Sequence, residues 1–105
     1  MGERTENVVD GDIARTITTL VDTIADRRTA DPEKSYTASL LSSKEDRCLG
    51  KVVEEATEVV MACKDDDHDH IRYEMADLLY HLLVVAERYG ITVEELAGEL
   101  DARMV

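Results

Sequence analysis

The chain has 105 residues, a length that suits one domain. Its 24 acidic and 12 basic residues give a formal net charge of −12, which argues against nucleic acid or an anionic membrane as a partner and is compatible with divalent cations. Hydrophobic residues make up 44% of the chain, but Phe and Trp are absent. The aliphatic core is therefore expected to be small, and we expect an oligomer that buries more apolar surface than one chain can.

The first third of the chain predicts a tail and two helices. Residues 1–9 are polar and aperiodic and predict a disordered tail before one domain over residues 10–105. A helix is predicted over residues 12–28, because apolar side chains recur there at steps of three and four. Pro32 marks a connection, and the Ser35 hydroxyl can cap a short helix that runs to about Leu41.

The remainder predicts a helical hairpin and a final helix. Residues 42–45 (SSKE) match a capping box and predict a helix to about Lys64. An acidic turn over residues 65–69 leads into a long helix that stops at Gly90, and residues 92–95 (TVEE) form a second capping box for a helix to about Arg103. The predicted apolar stripes of the two hairpin helices are Cys48, Val52, Ala56, Val59, Val60, Cys63 and Ile71, Met75, Leu78, Leu79, Leu82, Leu83, Ala86.

The fold class that follows is all-α, a bundle of about four to five helices. No stretch shows the two-residue alternation of a strand, and short connections predict antiparallel neighbours. No run reaches the ~18 apolar residues of a membrane span. Cys48 and Cys63 match no disulfide or C-x-x-C pattern, and the chain starts without an apolar signal segment. Both cysteines are therefore expected to be reduced core thiols in the cytoplasm.

Four acidic residues stand within the apolar helices of the hairpin. Glu55 and Glu58 are three residues apart and share one helix face, as do Glu74 and Asp77. With the hairpin centred on Asp66, Glu58 lies eight residues before the centre and Glu74 eight after, while Glu55 and Asp77 lie eleven before and after. The spacing therefore predicts two facing pairs of carboxylates, which repel one another unless protons or a cation intervene.

A hard divalent cation would relieve this repulsion. Mg²⁺ prefers oxygen ligands and often shares phosphate oxygens with a substrate, and two close ions can assist phosphoryl displacement. Lys51, one turn before Glu55, can add a positive charge for a phosphate. Two alternatives without a metal stay open: the E-x-x-E pair lies on a solvated helix surface, or Asp77 is a single buried acid. The di-iron pattern needs Glu-x-x-His, which the chain lacks.

Each of the other candidate residues near the hairpin has a structural and a functional interpretation. His81 is either a satisfied core histidine or a partner of the acidic site. Residues 35–37 (SYT) offer hydroxyls and helix-start N–H groups to an anion, or are a plain cap. Arg47 and Arg72 can reach phosphates from near the hairpin, or are solvated charges.

The chain resembles the phosphoribosyl-ATP pyrophosphatase family. The resemblance lies in residues 24–28 (IADRR), 35–41 (SYTASLL), 51–60 (KVVEEATEVV) and 74–83 (EMADLLYHLL), and it extends over about residues 13–103. The pair E-x-x-E and E-x-x-D also marks the wider all-α nucleotide pyrophosphatase superfamily. The Ser-Tyr-Thr segment and the Tyr-His pair at residues 80–81 narrow the resemblance to this family.

The resemblance implies Mg²⁺-dependent hydrolysis of phosphoribosyl-ATP to phosphoribosyl-AMP and pyrophosphate, the second step of histidine biosynthesis. It also implies a cytoplasmic homodimer whose two chains complete the helical bundle. By the same resemblance Glu55, Glu58, Glu74 and Asp77 would bind metal, Lys51 would contact phosphate, and Ser35, Tyr36 and Thr37 would lie at the substrate.

In the implied mechanism a water attacks the triphosphate, and Glu54 or Glu55 takes its proton while Lys51 shares the charge of the leaving pyrophosphate. Two alternatives have different consequences. A house-cleaning nucleoside triphosphate pyrophosphatase would use the same acids with another base pocket. A non-enzymatic acidic dimerisation module would show no Mg²⁺ dependence, and neutralising its acids would not destabilise it.

Overall fold

The computed structural model describes residues 7–105, which form an all-helical chain without strands. The helices are α1 (Ile13–Asp26), α2 (Tyr36–Ser42), α3 (Glu45–Asp65), α4 (His68–Arg88) and α5 (Val93–Arg103). The predicted all-α class and the number of helices are therefore confirmed. Of the predicted tail, residues 1–6 lie outside the described residues, and residues 7–9 are irregular and exposed. The division into a tail and a domain over residues 10–105 stays a prediction.

The first two helices begin at side-chain caps. The Asp12 carboxylate accepts hydrogen bonds from the backbone N–H groups of Ala14 and Arg15, and α1 ends in a short 3₁₀ turn over Arg27–Thr29. The Ser35 hydroxyl accepts from the Ala38 N–H and opens α2, as predicted. Each cap satisfies N–H groups that have no partner within the helix.

The predicted capping box over residues 42–45 is wrong. Ser42 is the last residue of α2, and its hydroxyl donates to the Ala38 carbonyl. Lys44 is the N-cap of α3 and makes no side-chain capping bond. The local pattern fails because α2 extends through Ser42 and takes this hydroxyl for its own last turn. The capping box at Thr92 forms as predicted, with both reciprocal hydrogen bonds to Glu95.

The hairpin of α3 and α4 turns at the predicted centre. Asp66 adopts the left-handed conformation with φ of 53°, and the Asp67 carboxylate caps α4 by accepting from the His70 N–H. At the far end, α4 stops at Arg88, and Gly90 supplies a left-handed φ of 70°. Because the turn is this tight, the two long helices run antiparallel with residues equidistant from Asp66 at similar height.

The buried faces of the hairpin helices differ from the predicted apolar stripes. On α3 the buried residues are Cys48, Glu55 and Ala62, which recur every seven residues, whereas Cys63 is exposed. Val60 is also exposed. The expectation that Cys63 is a core thiol is therefore wrong, since it lies beside the buried line. Cys48 is a core residue as expected.

The buried stripe of α4 is largely polar. Glu74, Asp77, His81 and Val84 recur at steps of three and four and are buried, together with Leu83. Three residues of the predicted apolar stripe, Met75, Leu79 and Leu82, are exposed in the single chain. The apolar core is small, as the composition predicted, and consists of Ile24, Leu40, Cys48, Leu83 and Val84 with partly buried neighbours. Within residues 7–105, no helix has the length and hydropathy to cross a bilayer.

Candidate metal centre

The hairpin brings the four predicted acids into one cluster. Glu55 and Glu58 project from α3, and Glu74 and Asp77 project from α4. One carboxylate oxygen from each residue lies within 4.8 Å of those of the other three. The grouping follows from the tight turn at Asp66, which sets the height at which the two helices face each other. The alternative of a solvated surface pair is inconsistent with this placement.

Burial leaves four of the eight carboxylate oxygens in the cluster without a hydrogen-bond partner among the described residues. Glu55 is fully buried, and Glu74 and Asp77 are nearly so, whereas Glu58 is more exposed and forms the open side. Within the described part of the chain, both oxygens of Glu55, Oε2 of Glu74 and Oδ2 of Asp77 are buried without a hydrogen-bond partner. Ionised oxygens in such a position are costly unless a cation or a proton compensates them.

Protons compensate part of this charge when no cation is bound. Burial, together with the neighbouring Asp77 and Glu58 carboxyls, raises the pKa of Glu55 to about 8. Burial and the Glu58 charge raise the pKa of Glu74 to about 7. The neighbouring Glu74 and Glu55 carboxyls lower the pKa of Glu58. The cluster therefore carries bound protons near neutral pH, and a cation must displace them.

The donor set fits a hard divalent cation. All four groups are carboxylates, which Mg²⁺ prefers over nitrogen or sulfur donors, and the oxygens without partners point into the cluster from two helices. The rigid hairpin holds them in place without the need for a loop to fold around the ion. The acids of this hairpin can thus bind one or more hard cations, with Glu58 on the side open to ligands.

Lys51 lies at the edge of the cluster. Its Nζ is 3.0 Å from Oε2 of Glu54 and 3.6 Å from Oε1 of Glu55. Glu54 is largely exposed and pairs with this ammonium group, outside the four-acid cluster. Lys51 therefore links the buried acids to the surface, where its charge is accessible to an anionic ligand.

The helix α2 places Tyr36 and Thr37 against α4. The Tyr36 hydroxyl is 3.0 Å from Nε2 of His81, and the Thr37 hydroxyl bonds to that of Tyr80. Ser35 acts as the plain cap of α2, which is only seven residues long. The segment 35–37 thus contacts the helix that carries Glu74 and Asp77, so that Tyr36 borders the acidic cluster.

Two arginines flank this region. The Arg47 guanidinium lies 6.0 Å from the centre of the Tyr36 ring and donates to the Ser39 hydroxyl. Arg72 forms an ion pair with Asp69 at 3.1 Å on the same helix. Arg72 also lines a cavity of about 340 Å³ next to Asp77. Both cations are near the cluster, but neither reaches into it.

One aromatic residue was missed by the sequence interpretation. Tyr73 lines the cavity beside Asp77, and burial together with the charges of Asp77 and Glu74 raises its pKa. It stands four residues before Asp77, so the helical period alone indicates a shared face. The tight Tyr36–His81 contact could not be found in this way, because its partners are 45 residues apart.

Comparison with known proteins identifies relatives of this chain. The family model described as phosphoribosyl-ATP pyrophosphohydrolase matches residues 17–104. The phosphoribosyl-ATP pyrophosphatase of Nitrosomonas eutropha is 50% identical over 84 residues, which cover 80% of this chain and 72% of the relative. The protein of the same name from Halobacterium salinarum is 49% identical, over 80% of this chain and 92% of its own length. That from Neisseria gonorrhoeae is 46% identical, over 77% of this chain and 76% of its own length.

Proposed function

Because the chain belongs to the phosphoribosyl-ATP pyrophosphohydrolase family, we propose that it hydrolyses phosphoribosyl-ATP to phosphoribosyl-AMP and pyrophosphate. This reaction is the second step of histidine biosynthesis. The relatives named as phosphoribosyl-ATP pyrophosphatases cover most of this chain, including both acidic helices. The family resemblance expected from the sequence is therefore confirmed.

The observation that carries the proposal is the largely buried cluster of four carboxylates, in which four oxygens have no hydrogen-bond partner among the described residues. Stability alone does not favour such a cluster, since apolar residues would fill the same space at lower electrostatic cost. We assign Glu55, Glu58, Glu74 and Asp77 as Mg²⁺ ligands. When bound, Mg²⁺ supplies neutralisation of the triphosphate charge and acidifies a water.

The residues beside the cluster act on the phosphates and on the proton. Lys51 lies at the edge of the acidic cluster, within ion-pair distance of Glu54 and Glu55, where its ammonium can share the charge of the departing pyrophosphate. Glu54 is exposed and Glu55 is buried, so the two candidate proton acceptors differ in environment. Because Glu55 is also a proposed Mg²⁺ ligand, Glu54→Gln is the informative variant, and it should remove the acidic limb of the rate profile only if Glu54 takes the proton.

In this proposal the substrate lies along α2 and the edge of the acidic cluster. Tyr36 and Thr37 border the acidic cluster from α2, and Ser35 opens that helix. Arg47 beside Tyr36 and Arg72 beside the Asp77 cavity are placed to pair with phosphates at the periphery. Because both arginines are outside the cluster, they affect substrate affinity more than the chemical step.

We propose that the working form is a homodimer. The helix α5 is 11 residues long and has no buried residue, although isolated helices of fewer than ~12–15 residues are marginal in water. Ile13, Leu79, Leu82, Leu96 and Leu100 on α1, α4 and α5 are exposed. Several of them line an apolar groove of about 640 Å³. A second copy of the chain would bury these side chains and extend the small core.

We place the reaction in the cytoplasm, in agreement with the compartment implied by the family resemblance. The exposed thiol of Cys63 suits a reducing environment, in which free cysteines persist. Cys48 is a core residue with no role at the site.

The decisive experiment measures pyrophosphate release from phosphoribosyl-ATP with Mg²⁺ and after chelation by EDTA. We expect turnover only with the cation, and restoration on adding excess Mg²⁺. The same assay with a panel of nucleoside and deoxynucleoside triphosphates tests the house-cleaning alternative. Turnover of those nucleotides with none of phosphoribosyl-ATP would overturn the proposal, and absence of any Mg²⁺-dependent turnover would favour a non-enzymatic module.

A further inference from the structure

His81 connects the acidic cluster to α2 through both nitrogens of its ring. The ring is fully buried on the stripe of α4 that carries Asp77. Its Nδ1 lies 2.8 Å from the backbone carbonyl oxygen of Asp77 and 3.6 Å from Oδ1 of the same residue. Its Nε2 lies 3.0 Å from the Tyr36 hydroxyl. A buried polar ring thus bridges one proposed metal ligand and one proposed substrate contact.

The surroundings determine which ring nitrogen carries the proton. A carbonyl oxygen can only accept, so the group facing the Asp77 carbonyl must be Nδ1–H. In the neutral imidazole, Nε2 is then an acceptor, and the Tyr36 hydroxyl must donate its only proton to it. Having donated its proton to His81, the Tyr36 hydroxyl can only accept hydrogen bonds from other groups.

The place of Tyr36 makes this orientation relevant to substrate. Its side chain is partly exposed, its ring lies beside the Arg47 guanidinium, and the charges of Lys51 and Asp77 act on its hydroxyl. An anionic phosphate oxygen needs a donor, and the Tyr36 proton is already used. A hydroxyl or amino group of a ligand can donate to the free lone pairs.

We propose that His81 is a positioning residue that holds the Tyr36 hydroxyl as a hydrogen-bond acceptor for a hydroxyl or amino group of the substrate. The inference rests on the proposed function and refines it, because it assigns Tyr36 to the nucleoside or ribose part of the substrate rather than to its phosphates. His81 also has donor atoms within 4.8 Å of Glu55 and Asp77. Its two nitrogens are nevertheless engaged by Asp77 and Tyr36, which distinguishes it from a metal ligand.

Two variants of His81 separate its two hydrogen bonds. In His81→Asn the side-chain amide can replace the Nδ1–H donor but does not reach Tyr36. In His81→Gln the amide oxygen can replace Nε2 as the acceptor. We expect His81→Asn and Tyr36→Phe each to raise KM about tenfold, the size of one hydrogen bond, with kcat changed less than about twofold. His81→Gln should stay within about threefold of the unsubstituted protein.

The double variant tests whether the two residues act together. We expect Tyr36→Phe with His81→Asn to be no worse than either single change, because both remove the same contact. Additive losses, or an unchanged KM in Tyr36→Phe, would overturn the proposal. A loss of Mg²⁺ affinity by calorimetry in both His81 variants, with none in Tyr36→Phe, would instead identify His81 as a metal ligand and also overturn it.

Inhibition by inorganic triphosphate tests the assignment to the nucleoside part. This probe has no ribose hydroxyl and no amino group, so its inhibition constant should be unchanged in Tyr36→Phe and raised in the positive control Lys51→Met. Weaker inhibition in Tyr36→Phe would place Tyr36 at the phosphates and contradict the inference.

A spectroscopic measurement does not depend on turnover. Nitrogen-15 NMR of the unsubstituted protein should show His81 protonated at Nδ1 and bare at Nε2, and a proton on Nε2 would overturn the proposal. This result judges the inference even when His81 variants fold poorly. If the protein does not hydrolyse phosphoribosyl-ATP, the proposed function fails, whereas the ring tautomer and triphosphate binding still report on His81 and Tyr36.

Discussion

The acidic cluster and the exposed apolar face of α1, α4 and α5 are both incomplete in a single chain, but for opposite reasons. The cluster buries carboxylates, and oxygens of Glu55, Glu74 and Asp77 have no hydrogen-bond partner among the described residues. The apolar face, represented by Leu82 and Leu100, exposes surface that water solvates poorly. On the proposed function, a cation would complete the first and a second copy of the chain would cover the second. Substitutions in the two regions should therefore separate catalysis from association.

The largest effect is expected from removing charge in the cluster. Glu55→Gln and Asp77→Asn should each lower kcat/KM on the order of 10³-fold, because bound Mg²⁺ supplies several kcal/mol of charge stabilisation. Both variants should remain folded dimers, since amides occupy nearly the same volume. Pyrophosphate release and circular dichroism measure the two properties.

The matched control is Glu99→Gln on α5. Glu99 forms an exposed ion pair with Arg103, and such pairs contribute little to stability. Its activity should stay within about twofold of the unsubstituted protein. Full activity in Glu55→Gln and Asp77→Asn would contradict the assignment of the cluster as the Mg²⁺ site.

The second effect is on association. Leu82→Glu places a charge on the apolar face and should weaken the dimer at least about 30-fold, or ~2 kcal/mol. Sedimentation velocity over a range of concentrations measures this constant. Val9→Glu, at an exposed residue outside the helices, is the control and should leave it unchanged. A protein that is monomeric without substitution would refute the proposed homodimer.

The third effect is a pH dependence of stability in the absence of metal. Burial raises the pKa of Glu55 to about 8 and that of Glu74 to about 7, from an ordinary value of 4.5. The folded state therefore binds more protons than the unfolded chain between those values, and stability falls as pH rises from about 4.5 to about 8. The lowered pKa of Glu58 acts in the opposite direction and offsets only part of this trend.

Thermal unfolding in EDTA tests this trend. Tm should be lower at about pH 8.5 than at about pH 5.5, and Mg²⁺ should raise it more at the higher pH, where it has fewer protons to displace. In Glu55→Gln the dependence on pH should flatten, because that residue no longer titrates. A Tm that rises with pH in EDTA would show that the cluster is not strained by its own charge.

The smallest effect concerns a residue that belongs to neither region. Gly50 is within α3, and an added Cβ would meet nothing within 4 Å. Gly50→Ala should therefore increase the free energy of unfolding by about 0.5–1 kcal/mol without changing activity or association. Gly90→Ala is the contrasting variant, because its φ of 70° disfavours a side chain and should make this change destabilising. A stabilising Gly90→Ala would contradict the left-handed cap.

Several features of the site were predictable from short-range rules. The spacing of Glu55 and Glu58 placed both on one helix face, and the turn at Asp66 set which acids of α4 they meet. These relations depend on the helical period and on one tight turn. The caps at Ser35 and Thr92 were likewise predictable, because each is a hydrogen bond within three residues.

Other features escaped the same rules. The pattern at residues 42–45 predicts a capping box, but α2 extends through Ser42 and α3 begins without a side-chain cap. The apolar pattern of α4 predicts core positions for Met75, Leu79 and Leu82. These residues are exposed, because the polar stripe of α4 packs inward instead. A period of 3.6 identifies helix faces but does not state which face meets a neighbour.

The amino-acid sequence alone determined the all-helical class, the bounds of most helices, and the height at which the four acids face one another. These properties depend on hydrogen bonds and side-chain spacing within a few turns of chain. Only the tertiary structure decided that the polar stripe of α4 is inside, that Cys63 is outside, and that Tyr36 meets His81 across 45 residues. Burial and long-range contact depend on how whole helices pack, which no local pattern specifies.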